Sequence, residues 1–120
     1  MIVVSRFDVP EQESTDFLPQ AQAALSAFAA RPGFVRGRVG RSADEQSAWV
    51  LVTEWESVGA YRRSLGAYDV KVDAATLLGR SRNEASAFEV LLSEDTAGPA
   101  VTLPSRRAAN ADTTGIGDSP

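Results

Sequence analysis

The chain contains no histidine and no cysteine. That excludes imidazole acid–base catalysis, Ser-His-Asp triads, thiolate nucleophiles, iron–sulfur clusters and histidine or cysteine metal sites. Chemistry must therefore come from aromatic rings, phenols, hydroxyls, carboxylates and guanidinium groups. Trp55 closes the run Ala48-Trp49-Val50-Leu51-Val52-Thr53-Glu54-Trp55, in which the two-residue period of a strand puts Trp49, Leu51, Thr53 and Trp55 on one face. An indole at the end of a strand either lines a ligand cavity or anchors the following helix in the core. Phe28 supplies a further ring. Tyr61 and Tyr68 carry phenols that suit a substrate oxygen, or stand at helix ends as surface aromatics. Arg6 lies in an N-terminal strand, and Arg36 and Arg38 share a face of a later one. A guanidinium at a cavity stabilises a phenolate or developing oxyanion. On a solvated face the same arginines would pair with Glu54 or Glu89. Ser5, Thr53 and Asp8 are able to place or accept a proton. Glu11-Gln12-Glu13 reads as a helix start, and Arg62-Arg63 as a solvated helix face.

No dedicated cofactor motif accompanies these residues. Gly33, Gly37 and Gly40 do not form a dinucleotide fingerprint, no phosphate loop is present, and no acidic run has calcium- or magnesium-loop spacing. We therefore expect no cofactor and no metal. Twelve basic against sixteen acidic side chains, 12 Lys+Arg and 16 Asp+Glu, leave a net charge of −4, which argues against nucleic acid or an anionic membrane as the main partner. No stretch approaches the roughly 20 consecutive apolar residues of a membrane helix. The start, Met1-Ile2-Val3-Val4-Ser5-Arg6, lacks the pattern of a secretory leader, so a cytoplasmic location is expected.

The elements that must position these groups follow from periodicity. Residues 2–8 are β-branched and aromatic and stop at Pro10: a first strand. Phe17, Ala21, Ala24, Leu25 and Phe28 then form one helical face, closed by Pro32-Gly33. Pro19 fits that helix only in its first turn, with the regular helix starting near Asp16; elsewhere it kinks the helix. Residues 33–42 and 48–55 read as a hairpin around Ala43-Asp44-Glu45-Gln46-Ser47. Ser57 caps a short helix through Leu65, ended by Gly66. A further helix over roughly 69–78 buries Val70, Ala74 and Leu77. Glu84 to Leu92 is a final strand with Ser86, Phe88, Val90 and Leu92 on one face. The order β-α-β-β-α-β is α+β and ferredoxin-like, an antiparallel sheet with helices on one face. The body spans residues 1–93. From Glu94 to Pro120 there is no aromatic residue, and this Ala/Ser/Thr/Asp-rich stretch reads as a low-complexity tail, mobile or laid along a partner subunit.

Arg31-Pro32-Gly33-Phe34, Arg41-Ser42-Ala43-Asp44-Glu45, Thr53-Glu54-Trp55-Glu56-Ser57, Ala60-Tyr61-Arg62, Tyr68-Asp69-Val70-Lys71 and Ser86-Ala87-Phe88-Glu89 occur in order and at consistent spacing. Together they resemble the antibiotic-biosynthesis monooxygenase family of dimeric α/β barrels, over roughly residues 1–92. The resemblance implies a homodimer in which the uncovered sheet faces pack together. Strand alternation supports this independently. Ile2 and Val4 alternate with Val3 and Phe7, and Val50 and Val52 with Trp49, Leu51 and Trp55, so helices on one side leave an apolar face on the other. The resemblance also implies oxygenation without metal, flavin or nicotinamide. The substrate would be a small hydrophobic aromatic such as an anthrone or hydroquinone, and the cavity tryptophan of related enzymes maps to Trp55. The relatives that degrade haem use a histidine and a tryptophan that map to Ala74 and Ser64, which rejects that activity. Isomerase relatives that rely on a histidine are disfavoured by the same absence.

The expected function is thus a cofactor-independent monooxygenase acting on a quinol-type substrate in a hydrophobic cavity. The residues expected to line it are Trp55, Thr53, Leu51, Tyr61, Tyr68, Phe28 and Arg6. The alternative is a non-catalytic dimeric module of the same fold that binds a small ligand or serves an accessory role. A titratable side chain at the cavity favours the first reading, and a purely apolar lining the second.

Overall fold

A computed structural model describes residues 1–105; residues 106–120 of the expected tail lie outside the described residues. The strands β1 (Ile2–Asp8), β2 (Phe34–Arg41), β3 (Ala48–Trp55) and β4 (Ala87–Phe88) form one sheet in the order β2-β3-β1-β4, and every neighbouring pair is antiparallel. The helices are α1 (Ser14–Ala29), preceded by a 3-10 turn at Glu11–Glu13, then α2 (Val58–Ser64), α3 (Tyr68–Asp73) and α4 (Ala75–Leu78). This is the expected α+β, ferredoxin-like arrangement.

Alternation along the two central strands decides which side is covered. β1 and β3 pair from Ile2 opposite Glu54 to Asp8 opposite Ala48, so Val3, Ser5 and Phe7 stand beside Leu51 and Thr53 on one face. These residues are buried together with Trp55 beneath Phe17, Ala21, Ala24 and Phe28 of α1. Each fully buried phenylalanine there contributes about 1.5–3 kcal/mol by removal from water. The opposite face carries Ile2, Val4, Val50 and Val52, all half-buried, with Phe88 exposed beside Ile2.

One irregularity re-aims a ring. β2 pairs with β3 in step from Arg36 opposite Glu54 to Arg41 opposite Trp49, but Phe34 stands opposite Trp55, with a register shift between Phe34 and Arg36. An unbroken strand would put Phe34 on the open face with Arg36 and Arg38. The extra residue at Val35 turns Phe34 toward the helices instead, as a β-bulge does.

Four expectations need correction. α1 runs through Pro19 beyond its first turn, with the proline exposed; the carbonyl of Thr15, deprived of its usual donor, lies at that exposed surface. The helix expected over 69–78 is two pieces that meet at Ala74, where φ is −119°. The β-branched Val70 and Val72 weaken the helix just before this break. The last strand is reduced to Ala87–Phe88 because its ladder ends where Phe88 meets Ile2, the first paired residue of β1. Finally, the end of the expected last strand and the first residues of the expected tail, which begins at Glu94, join in a hairpin of β5 (Leu92–Asp95) and β6 (Gly98–Thr102), turned by the Asp95 carboxylate accepting from the Ala97 N–H at 2.8 Å. Every residue of this hairpin is exposed.

Candidate functional site

The helix-facing end of β3 gathers four aromatic rings. Trp55 is only 2% exposed and meets Phe34 at 5.3 Å and Phe28 at 5.8 Å between ring centroids, edge-on in both cases at 87° and 83°. Tyr61 closes the group, 5.7 Å from Trp55 and 6.5 Å from Phe28. Perpendicular contacts set the positive edge of one ring against the negative face of the next. The indole N–H of Trp55 donates to Thr53 Oγ1 at 2.9 Å, so its one polar atom is satisfied inside the core. Leu51 lies on the same face and is buried.

Local sequence brings Tyr61 to this place. Ser57 caps α2 by accepting the Ala60 N–H at 3.0 Å, which starts the helix immediately after Trp55 and carries Tyr61 back over it. Gly33 has a positive φ of 88°, and any Cβ there would strike the Ala60 methyl, so α2 sits tight against the α1–β2 turn. The Glu56 N–H bonds to the Gly33 carbonyl at 2.8 Å across the same junction. Burial pushes the Tyr61 phenol above its usual pKa of 10.0. At neutral pH it is an un-ionised hydrogen-bond donor rather than a base.

The remaining expected residues are distributed differently. Tyr68 opens α3 and is 78% exposed, away from the rings. Arg6 projects from the opposite face of the sheet and pairs with Glu84 at 2.8 and 3.3 Å. Asp8 shares that face and holds Arg82 at 2.7 and 3.2 Å, which keeps its carboxyl below the usual range. Arg36 pairs with Glu54 at 2.9 Å, as one of the two expected arrangements has it. Ser5 is buried on the helix-facing side. Ala74 and Ser64 are buried, and the Ser64 hydroxyl donates to the Tyr61 carbonyl at 2.5 Å; neither offers a ligand for haem iron. Phe34 is the ring that alternation hides, because the bulge reverses its face. A surface cleft of about 190 Å³ is lined by Met1, Glu56, Ser57, Val58, Glu89, Val90, Leu103 and Pro104, and by none of the four rings. It is smaller than the usual 300–1,000 Å³ of small-molecule pockets.

Among solved structures, SnoaB, described as a cofactor-independent oxygenase from Streptomyces nogalater, matches with a TM-score of 0.60 at 23% identity, over 90% of this chain and 94% of that one. A Mycobacterium tuberculosis protein matches with a TM-score of 0.59 at 22% identity, over 81% and 97%. A conserved protein from Methanosarcina mazei Go1 gives 0.59 at 14% identity, over 72% and 84%. These likenesses show the fold. No curated protein is similar enough in sequence to match the chain. The family model for antibiotic biosynthesis monooxygenases matches residues 1–72, from β1 through most of α3. With more than half of the chain covered by that model, the protein belongs to the antibiotic biosynthesis monooxygenase family.

Proposed function

We propose that the protein is a cofactor-independent monooxygenase that oxidises a reduced, quinol-type aromatic such as an anthrone or hydroquinone at the Trp55 cluster. The observation that carries this reading is the half-buried phenol of Tyr61 packed against Trp55 and Phe28. It is a titratable group at an aromatic site, the feature that separates an enzyme from a purely apolar binding module. The half-buried Phe34 and Tyr61 would border the substrate at the edge of the cluster, with Trp55, Phe28 and Leu51 packed behind them, and the Tyr61 hydroxyl would donate to a substrate oxygen. Tyr61 stays protonated, so the substrate must supply its own anion. That anion gives one electron to O₂; the resulting radical and superoxide combine to form a carbon–oxygen bond. The peroxide anion takes up one proton, equal to the one released when the substrate ionised, and the hydroperoxide then loses water, leaving one oxygen atom in the quinone product. Exclusion of water and fixed orientation are the protein's contributions. Arg6 and Tyr68 have no part in this scheme, Arg6 because it faces the other side of the sheet.

The test is O₂ uptake by the purified protein with a panel of anthrones and hydroquinones, with and without exhaustive chelation. Chelator-resistant uptake that rises with ionisation of the substrate phenol, with no step near pH 6.5 from imidazole, is expected. Tight binding without any uptake would establish the ligand-binding alternative instead.

A homodimer through the open face belongs to the same reading. Ile2, Val4, Val50 and Val52 make a half-buried apolar strip there that no helix covers, with exposed Phe88 at its edge. Sedimentation equilibrium should show a dimer, and Val52→Asp should convert it to monomer by placing an unpaired carboxylate in the interface. A stable monomer of the parent protein would refute the arrangement. Residues 1–93 form the body in this reading, and the stretch from 94 onward is an appendage to it.

A further inference from the structure

The Trp55–Thr53 hydrogen bond has a consequence for how the cluster meets a ligand, and the inference rests on the reading of that cluster as the substrate site. Both residues lie on the helix-facing side of β3, and both are almost fully buried. Thr53 is β-branched, so one torsion sets its methyl and hydroxyl together. Its methyl lies near Gly37 on β2, where a Cβ would strike Leu25 and come within 3.3 Å of both the Thr53 methyl and the Phe34 ring. The space that Gly37 leaves admits the methyl on the β2 side, and Oγ1 accepts the Trp55 N–H at 2.9 Å. The indole is then held edge-on to both phenylalanines. Its single donor is committed to the protein, whereas the Tyr61 hydroxyl makes no hydrogen bond to any described residue.

We propose that Thr53 is a positioning residue: by accepting the indole N–H it locks Trp55 as the backing on which Tyr61 packs, 5.7 Å away, and leaves hydrogen bonding to the ligand oxygen to Tyr61. Glycine at position 37 is part of the device, because a side chain there would collide with Leu25 and turn the Thr53 methyl aside. A ligand suited to such a site is a planar aromatic with an acceptor oxygen at its Tyr61 end, a phenolate or quinone carbonyl, and with no demand on Trp55 for a donor.

The experiment uses full-length protein carrying Trp49→Phe, so that Trp55 is the one indole, with Thr53→Val and Thr53→Ser added separately. Valine keeps the shape and removes the acceptor; serine keeps the acceptor. The readouts are the indole N–H resonance, its exchange with solvent, and O₂ uptake. In Thr53→Val the resonance should move upfield and exchange about tenfold faster, on the scale of one lost buried hydrogen bond. kcat should fall while KM holds, and Thr53→Ser should restore both the resonance and kcat. Should Thr53→Val not fold, Thr53→Ala, which lacks the acceptor without filling its space, provides the same comparison. An unchanged indole resonance in the acceptor-less variant, or a serine variant that behaves like valine, overturns the proposal. The indole readout needs no turnover, so absent O₂ uptake in the parent refutes the oxygenase reading while the role of Thr53 is still decided.

Discussion

Trp49 and Trp55 stand on the same face of the same strand, yet the two ends of β3 are built differently. At the Trp49 end the ring packs on Phe17 at 5.1 Å, Phe17 packs on Phe7 at 5.2 Å, and guanidinium groups cover the outside. Arg41 lies 5.0 Å over Trp49, and Arg80 lies 6.0 Å over Phe17 while holding Glu13 at 2.7 Å. The Trp49 Nε1 is buried without an acceptor among the described residues. At the Trp55 end the indole is satisfied by Thr53 and a phenol borders the rings. Both ends bury aromatic surface, so hydrophobicity does not distinguish them. Polar satisfaction does. One end closes the core with an indole N–H that has no acceptor among the described residues, whereas at the other end the indole N–H is held by Thr53.

The contrast is broken most forcefully at Phe17. Phe17→Ala should destabilise the fold by about 3–5 kcal/mol in urea unfolding while leaving turnover per folded molecule unchanged, because the cavity opens at the closing end. A matching collapse of turnover would mean that the two ends act as one unit. Trp55→Phe reverses the pattern. It keeps an apolar ring but loses the Thr53 anchor, so turnover should fall about tenfold or more for roughly 1 kcal/mol of stability. Equal loss of both would make Trp55 a core anchor only. Trp49→Phe sharpens the comparison from the other side: it deletes a buried donor that has no partner, and the midpoint should move by less than about 1 kcal/mol.

The smallest effects separate the two faces of the sheet by pH. Asp8 and Glu84 have carboxyls lowered first by hydrogen bonds from Arg82 and Arg6, so their contribution is present above the usual carboxylate range and disappears as the pH falls through the lowered values. All four groups are exposed or nearly so, and salt should erase the contribution. Arg82→Gln should therefore match the parent in high salt and at acid pH, with only a slight difference near neutrality. Tyr61 works at the opposite end of the scale. Its raised phenol pKa favours the protonated folded state, so that stability is intact below pH 10.0 and declines as the pH rises beyond it.

Residue spacing made much of this legible. The run 48–55 put Trp49, Leu51, Thr53 and Trp55 on one face, and the burial of the last three bears that out. The spacing of Phe17, Ala21, Ala24 and Phe28 identified the covering face of α1, and Ser57 marked the start of α2. Phe34 was not legible, because straight alternation groups it with Arg36 and Arg38. Arg6 and Tyr68 carried suitable chemistry, but residue type alone does not tell a cluster-facing position from a surface one.

By itself the sequence determined the elements, their order, the apolar face of each and the restricted chemistry of a chain without histidine or cysteine. These depend on side-chain period, caps and turn residues, all of which act over a few positions. Only the tertiary structure decided which rings meet. The bulge at Val35 turned Phe34 inward, and the close approach of Ala60 to Gly33 laid Tyr61 over Trp55. Each of these joins residues from separate elements. Such contacts arise from sheet register and helix docking, which local spacing does not encode.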